Sequence, residues 1–337
     1  MQRVLVTGGA GYVGSICAAH LIDKGHEVTI VDDLSTGHIE AVPDGARFYQ
    51  FDIGSERELS RLLSERRFDV VFHFAAKALI AESVTDPALF YRTNFHAAYT
   101  MAECLRAAGI HRFIFSSTAA VYGNPTIVPI PEDHPKNPVN AYGESKLAFE
   151  QLLRWYARGY GWSVVAFRYF NACGATQTLG ELHEPETHII PLLLQAACGR
   201  RRDFVVYGTD YDTPDGSCLR DYVHVLDIAK AHCLALQRMH QPGFEAYNIG
   251  TGTSHSVLEM CRVVEEVTGR KVNVRVGSRR PGDPAVLCAS PEKIRGDLGW
   301  TPQSSDLPAI VRSAWEWENK RSSLDKQVPA FVKPVTV

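Results

Sequence analysis

A tyrosine and a lysine stand four residues apart in the segment "NAYGESKLAF", residues 140–149. In a helix, this spacing places Tyr142 and Lys146 one turn apart, with their side chains in mutual reach. A free tyrosine has a pKa of about 10 and is a poor base at neutral pH, but a neighbouring positive charge favours its phenolate form. The pattern therefore predicts that Lys146 lowers the pKa of Tyr142 and makes it a usable base.

Three hydroxyl residues precede this pair, at the end of the predicted strand "RFIFSS" and directly after it. In open α/β sheets, ligands bind beyond the carboxyl ends of the strands. We expect Thr118 to hydrogen-bond the reacting oxygen beside Tyr142. By position alone, Ser116 is better explained as a turn former.

A glycine-rich segment, "VLVTGGAGYVG", brings Gly8, Gly11 and Gly14 between a predicted strand and a predicted helix. Such glycines permit a tight turn and let backbone N–H groups approach a pyrophosphate. Asp32 ends the next strand, where a carboxylate accepts hydrogen bonds from an adenosine ribose and repels a 2′-phosphate. The combination favours NAD over NADP. Asp52, at the end of the third strand, either contacts the adenine amino group or is an ordinary strand-end residue.

The elements that position these groups follow an alternating pattern. Apolar strand-like runs alternate with segments of helical periodicity, which favours a parallel sheet covered by helices on both faces. The sequence therefore predicts a doubly wound α/β (Rossmann) domain at 1–174, which residues 222–250 rejoin, and a smaller α/β substrate-binding domain at 175–337. The predicted strands are 3–8, 27–32, 47–52, 69–75, 112–117 and 163–170, and the predicted helices are 13–24, 55–66, 87–109 and 141–159.

Charge and composition exclude several classes of partner. The chain of 337 residues has 35 basic and 38 acidic residues, a net charge of −3 that offers no field for nucleic acid or an anionic membrane. No apolar run approaches the ~20 residues of a membrane span, and the chain start does not resemble a signal peptide. Eight cysteines without a CxxC pair indicate reduced thiols, so we expect a cytoplasmic protein.

Several longer motifs carry a family resemblance. "TGGAGYVG", "HFAA", "SSTAAVYG", "YGESK" and "RYFNACGA" resemble the extended short-chain dehydrogenase/reductase superfamily. "GELHEPETHIIP", "VYGTDYDTPDGSCLRDYVHVLDIA", "YNIGTG" and "RRPGDP" resemble the UDP-galactose (UDP-glucose) 4-epimerases over residues 1–320. The resemblance implies a tightly held NAD, oxidation of the sugar at C4, rotation of the 4-keto sugar and return of the hydride. It also implies a homodimer paired through the helices at 87–109 and 141–159.

The same resemblance implies a set of site residues besides the catalytic Tyr142, Lys146 and Thr118. The implied cofactor positions are Gly8, Gly11, Tyr12, Val13, Gly14, Asp32, Asp33, Asp52, Ile53, Phe74, Ala75, Ala76, Lys77, Asn94, Ser116, Tyr142, Lys146, Tyr169 and Phe170. The implied substrate positions are Thr118, Asn171, His188, Ile189, Tyr207, Arg220, Arg280, Asp283 and Leu287. Arg279 is expected to form a surface ion pair instead.

Three positions depart from the family pattern. Lys77 lies one position earlier than the lysine that contacts the cofactor. His188 stands where asparagine is common; we expect no second metal ligand near this loop histidine and therefore no metal site. Leu287 stands where strict glucose/galactose epimerases carry a bulky tyrosine, which leaves room for an N-acetyl group.

Two other functions stay open. A UDP-xylose/arabinose or UDP-uronate 4-epimerase would share the chemistry at C4 and differ at the C5 pocket. A non-catalytic NAD-sensing regulator would keep the glycine loop and lose the tyrosine, which this chain retains. A 4,6-dehydratase is disfavoured, because Thr118 is followed by Ala119 and Ala120 and not by an acid pair.

Overall fold

Seven parallel strands form the central sheet, in the order β10-β6-β5-β4-β1-β2-β3. The structure is a computed structural model that describes residues 1–280 and 282–327. The strands are β1 Arg3–Thr7, β2 Glu27–Asp32, β3 Arg47–Gln50, β4 Val70–His73, β5 Arg112–Thr118, β6 Ser163–Tyr169, β7 Asn171–Cys173, β8 Phe204–Tyr207, β9 Leu219–His224, β10 Gly243–Ile249, β11 Ser254–Ser256, β12 Val274–Gly277 and β13 Val286–Leu287. The strand order reverses between β1 and β4, which is where doubly wound sheets bind ligands.

Eleven α-helices occupy the described residues. They are α1 Tyr12–Asp23, α2 Glu56–Glu65, α3 Ile80–Thr85, α4 Pro87–Phe90, α5 Ala98–Ala107, α6 Ala141–Tyr160, α7 Ile189–Ala197, α8 Val225–Leu236, α9 Val257–Thr268, α10 Glu292–Leu298 and α11 Leu307–Gln327. A π-helical turn, Tyr91–Ala97, joins α4 to α5. Short 3₁₀ turns at Ile39–Ala41 and Ala119–Tyr122 complete the helical structure.

Both faces of the central sheet are buried. Alternate residues of β1 point to opposite sides: Leu5 belongs to the apolar core under α2, α5 and α6, whereas Val4 and Val6 belong to the core under α1, α8 and α10. Because helices cover both faces of this parallel sheet, its strands are nearly unbroken runs of apolar residues. The predicted doubly wound α/β fold is confirmed.

A smaller unit is built around three helices and two short sheets. Helices α7, α9 and α11 share a third apolar core. Strand β9 pairs with β7, β11 and β13, and β8 pairs with β12. Helix α8 and strand β10, by contrast, pack against α1 and β6 of the large sheet. The predicted second domain extends to residue 337, and its positions 281 and 328–337 lie outside the described residues.

Across the described residues, no helix combines the length and the apolar character needed to cross a membrane.

Candidate active site

A large cleft of about 2000 Å³ opens at the carboxyl ends of β1, β4 and β5 and continues into the smaller unit. Pockets for one small molecule have volumes of about 300–1000 Å³, so this cleft has space for two ligands side by side. All predicted site residues except Asn94 line its wall, including those of the glycine loop, the Tyr142 and Lys146 pair, and the second-unit side chains from Asn171 to Leu287.

The glycine loop leaves no room for a side chain at Gly8 or Gly14. A Cβ atom on Gly8 would lie 2.3 Å from the backbone nitrogen of Ala75, and the φ angle of Gly8 is +73°. A Cβ atom on Gly14 would lie 2.1 Å from the carbonyl oxygen of Gly8. In the described part of the chain, no side chain caps α1 at Gly11. The residues at this uncapped helix start, Gly11, Tyr12 and Val13, line the cleft, as a pyrophosphate site requires.

Asp32 ends β2 beside this loop and is buried. Its two carboxylate oxygens accept hydrogen bonds from the backbone N–H groups of Ala10 (3.0 Å) and Leu34 (2.9 Å). Burial raises the pKa of Asp32, and these backbone bonds oppose the rise. A carboxylate oxygen can accept a second hydrogen bond, so Asp32 can still bind a ribose hydroxyl. The carboxylates of Asp33 and Asp52 instead bond the backbone N–H groups of Ser35 and Gly54, at 2.8 Å each.

Asn94, expected to contact the cofactor, does not line the cleft. It is buried in the π-helical turn behind the cleft wall. Its side chain accepts a hydrogen bond from Lys77 N (2.8 Å) and donates to Lys77 O (3.0 Å) and Ser145 Oγ (3.2 Å). Asn94 therefore joins the loop after β4 to α6 and positions cleft residues without lining the cleft.

Tyr142 and Thr118 lie beside each other in the cleft wall. Asn140 caps α6 by accepting a hydrogen bond from Gly143 N at 2.8 Å, which places Tyr142 in the first turn. Thr118 ends β5 and is hydrogen-bonded to Tyr142. Burial raises the pKa of Tyr142, and the hydrogen bond to Thr118 opposes this effect.

Lys146 lies one turn further along α6, but its ammonium does not act on Tyr142 as predicted. Lys146 Nζ donates to Ser116 O (2.9 Å) and lies 4.9 Å from the ring centre of Phe115. Burial lowers the pKa of Lys146 to about 7, and Glu150 partly opposes this. The expected lowering of the Tyr142 pKa by Lys146 is absent here, because a lysine with a pKa of about 7 is already neutral at the higher pH where the Tyr142 phenol ionises.

Two charged side chains of the smaller unit form the far wall of the cleft. Arg220 on β9 is buried and forms an ion pair with Asp283. Arg280 stacks over the ring of Tyr207, with its guanidinium carbon 4.2 Å from the ring centre. The predicted surface pair of Arg279 is confirmed, because its Nε lies 2.8 Å from an Asp210 oxygen.

Leu287 and Asn171 connect this wall to the tyrosine end. Leu287 lies on β13, paired in register with Arg220, and packs against the apolar cluster that contains Ala119 and Leu147. Asn171 donates from its side-chain amide to Asp221 O at 2.9 Å. Both residues line the cleft.

The surroundings of His188 differ from the expected isolated loop histidine. Its Nδ1 atom lies 2.6 Å from Glu181 Oε1 and 2.9 Å from Glu186 Oε1, and Glu181 Oε1 also lies 2.9 Å from His183 Nδ1. Sequence reasoning missed Glu181, His183 and Glu186. The spacing of three glutamates and two histidines in "ELHEPETH" (181–188) is the signal that could have revealed them.

Comparisons with known proteins give one consistent result. The family described as "NAD dependent epimerase/dehydratase family" matches residues 4–250. A UDP-glucose 4-epimerase of Corynebacterium glutamicum is 47% identical over 314 residues, which cover 93% of this chain and 95% of the relative. The crystal structure of the UDP-glucose 4-epimerase from Brucella ovis in complex with NAD has a TM-score of 0.90, 43% identity and coverage of 94% and 98% of the two chains.

A structure with two bound ligands is similar too. The UDP-glucose 4-epimerase from Bifidobacterium longum in complex with NAD⁺ and UDP has a TM-score of 0.91 and 34% identity, and the match covers 95% of this chain and 99% of that one. The similarity therefore covers the smaller unit as well as the unit built on the seven-stranded sheet. On these matches, the chain belongs to the NAD dependent epimerase/dehydratase family.

Proposed function

We propose that this protein catalyses the reversible C4 epimerisation of UDP-glucose and UDP-galactose with NAD as bound cofactor. One observation carries the proposal: a single cleft is lined by the glycine loop, by Tyr142, and by Arg220 and Arg280. The similarity to UDP-glucose 4-epimerases over nearly the whole chain supports the same reaction.

The residues of the first lobe fit NAD. The close approach of Gly8 to Ala75 and the uncapped start of α1 form a cradle for a pyrophosphate. Asp32 would hold the adenosine ribose and disfavour a 2′-phosphate, and Lys146 would hold the nicotinamide ribose. When bound, NAD supplies the acceptor and donor of one hydride, and its positive ring favours the phenolate form of Tyr142.

Proton transfer is assigned to Tyr142. Its Oη atom would take the proton of the sugar 4-hydroxyl and return it after the 4-keto sugar has turned over. The Thr118 hydroxyl, already bonded to Tyr142, would hold the same sugar oxygen. Lys146 has a pKa of about 7, so its amine can gain or lose a proton near neutral pH when the charge of the groups in the cleft changes.

The nucleotide end would be anchored by the smaller unit. The Arg220 and Arg280 guanidiniums suit a diphosphate, the Asp283 carboxylate suits ribose hydroxyls, and Tyr207 offers an aromatic face to the uracil. Asn171, His188 and Ile189 would complete the substrate wall. Such an anchor leaves the hexose free to rotate, because the binding energy comes from the nucleotide.

The decisive experiment compares Tyr142→Phe with Tyr160→Phe, an exposed tyrosine on the same helix. Both proteins are purified without added nicotinamide and assayed with UDP-galactose, UDP-GlcNAc and UDP-xylose side by side. Loss of the base should lower kcat by about 10²–10⁴-fold, whereas Tyr160→Phe should retain normal activity. Unchanged interconversion in Tyr142→Phe would contradict the mechanism, and no turnover of any sugar by the wild type would favour an NAD-sensing regulator.

We also infer that the enzyme accepts UDP-GlcNAc and UDP-GalNAc. Leu287 is half-buried at the cleft wall, where a larger aromatic residue would occupy more of the sugar pocket. A turnover of UDP-GlcNAc about 1000-fold or more below that of UDP-galactose would contradict this inference. Preference for UDP-xylose over both hexoses would favour the pentose epimerase instead.

A cytoplasmic homodimer is the state we propose. All eight cysteines are free thiols, as is typical of a reducing compartment. The apolar residues Phe90, Met101, Leu105, Phe149 and Leu153 prove to be core residues, so the dimer surface depends instead on exposed aromatic residues nearby.

A further inference from the structure

Five side chains with metal-ligating atoms come from one eight-residue stretch, 181–188. Ligand atoms of Glu181, His183 and His188 all lie within 4.8 Å of one another. Nδ1 of His183 and Nδ1 of His188 approach the same oxygen, Glu181 Oε1, at 2.9 and 2.6 Å. The groups therefore converge on one point, which separate surface ion pairs would not do.

The electrostatics of the cluster require a positive charge at this point. The Glu181 and Glu186 side chains are only 9% and 12% exposed, and an oxygen of each meets the same ring nitrogen of His188. One N–H group cannot fully satisfy two carboxylates. A divalent cation can accept several ligand atoms at once, so it would satisfy both carboxylates more completely than this one ring nitrogen does.

We propose that Glu181, His183 and His188 bind a divalent transition-metal ion, with zinc as the best match. Two imidazole nitrogens and one carboxylate oxygen form a ligand set typical of zinc. Ligand atoms ~2.0–2.2 Å from a tetrahedral zinc ion lie ~3.3–3.6 Å apart, so the two distances from the histidine nitrogens to Glu181 Oε1 need to open by less than about 1 Å. Glu186 lies beside these ligands, and its Oε1 accepts hydrogen bonds at 2.7 Å from Thr187 N and His188 N.

The loop that carries these ligands is held on two sides. The stretch from Gly174 to His188 contains no helix or strand, and loops of this length in a compact protein are usually functional. The Tyr12 ring packs edge-on against His183, with ring centres 6.5 Å apart. On the other side, Trp317 Nε1 donates to Glu181 O, and a Cβ atom on Gly180 would lie 2.5 Å from the Trp317 ring. The ligands therefore have a rigid support.

The position of the site defines its role. His188 directly precedes α7, and His188 and Ile189 line the cleft. A metal ion here would fix the loop between α1 and α11 and hold the start of α7 in the cleft wall. It would stabilise the structure and take no part in the proton transfer assigned to Tyr142.

The test uses Zn²⁺ alone. Wild-type protein is stripped with a chelator, then titrated with Zn²⁺ by calorimetry, and its metal content is measured by mass spectrometry. We expect one zinc ion per chain, and Glu181→Gln and His183→Gln to weaken binding by about 100-fold or more. His255→Gln is the matched control: His255 Nδ1 lies 2.9 Å from Glu259 Oε1, but this pair belongs to no three-ligand cluster in the described residues. The control should bind zinc like the wild type.

A second measurement covers variants that fail to fold. Zinc added to the stripped wild-type protein should raise its melting temperature, because the metal binds the folded state. Absence of both zinc uptake and a melting shift in the wild type would overturn the proposal, as would equal loss of zinc in His255→Gln. A protein that binds zinc but does not epimerise UDP-sugars would support this proposal and contradict the proposed reaction, so the two can fail separately.

Discussion

At the scale of single residues, His232 shows how a buried ring links the cleft to the core. Its Nδ1 lies 2.9 Å from Ile228 O, and its Nε2 lies 2.8 Å from the hydroxyl of Tyr169, a cleft residue. A carbonyl can only accept, so Nδ1 donates to Ile228 O and Nε2 accepts from the Tyr169 hydroxyl. These bonds fit the neutral ring, and burial favours the neutral form at this position.

The neutral ring predicts a loss of stability in acid. Burial lowers the pKa of His232 to about 4, below the ordinary value of 6.5. The unfolded chain consequently binds the extra proton between these two values, so stability falls as the pH drops through this window. We expect His232 to account for about 2 kcal/mol of the loss between pH 7 and pH 5.

Urea unfolding of His232→Gln at both pH values checks this. The variant should be less stable at pH 7 but should lose about 2 kcal/mol less than the wild type on going to pH 5. His240→Gln, at an exposed position, should keep the wild-type pH dependence. An equal loss in wild type and His232→Gln would contradict the assignment.

Leu287 is the residue on which we expect sugar selectivity to depend. It packs beside Phe170 and Leu147 and faces the cleft. Leu287→Tyr would fill the volume assigned to an N-acetyl group, so kcat/KM for UDP-GlcNAc should fall by at least about tenfold, with UDP-galactose little affected. Leu287→Met, of similar volume, is the control and should leave the ratio unchanged. An equal fall in kcat/KM for both sugars would mean that the Leu287 side chain does not discriminate between substrates with and without an N-acetyl group.

At the scale of elements, the turn between β1 and α1 makes a prediction with a matched control. Gly8 and Gly25 both have left-handed backbones, with φ angles of +73° and +79°. A Cβ atom at Gly8 would clash with Ala75, whereas one at Gly25 would meet nothing within 4 Å. Substitution by alanine should cost each variant about 1 kcal/mol of backbone strain.

The clash at Gly8 should appear as a loss of cofactor. Gly8→Ala should retain less than about a tenth of the NAD that co-purifies with the wild type, because the loop must move away from β4. Gly25→Ala should retain normal amounts of NAD. Quantifying NAD released from each denatured protein measures this, and equal NAD contents would show that the fit of Gly8 against Ala75 is unimportant.

Elements with a local signal could be predicted from the sequence. The β1 turn, the strand-end Asp32 and the spacing of Tyr142 and Lys146 all have a pattern within a few residues. The π-helical turn that carries Asn94 has no such signal, since its hydrogen bonds reach Lys77 and Ser145, which are 17 and 51 residues away. The direction of the Lys146 ammonium was also beyond prediction, because its partner is the carbonyl of Ser116, 30 residues earlier.

At the scale of the whole molecule, the cleft depends on contacts between distant parts of the chain. Arg220 pairs with Asp283 across 63 residues, and Trp317 supports Glu181 across 136 residues. The family resemblance named Arg220 and Asp283 as ligand positions, but it could not give their pairing. The loop ligands Glu181 and His183 were missed because Glu181, His183 and His188 come together only when the loop folds against α1 and α11.

Assembly is the last property we expect at this scale. Four aromatic residues near α5 and α6 are exposed although their size favours burial: Tyr91 (41%), Tyr99 (41%), Trp155 (66%) and Tyr160 (52%). We expect pairing of α5 and α6 with their copies to cover these exposed aromatic side chains. Trp155→Glu would place a charge in that contact, so a wild-type dimer should become a monomer at micromolar concentration. Ile127→Glu, at an equally exposed residue outside these helices (56%), should remain dimeric. Sedimentation equilibrium distinguishes a dimer from a monomer. A dimer that survives Trp155→Glu would show that the contact lies elsewhere on the surface, and a monomeric wild type would contradict the dimer.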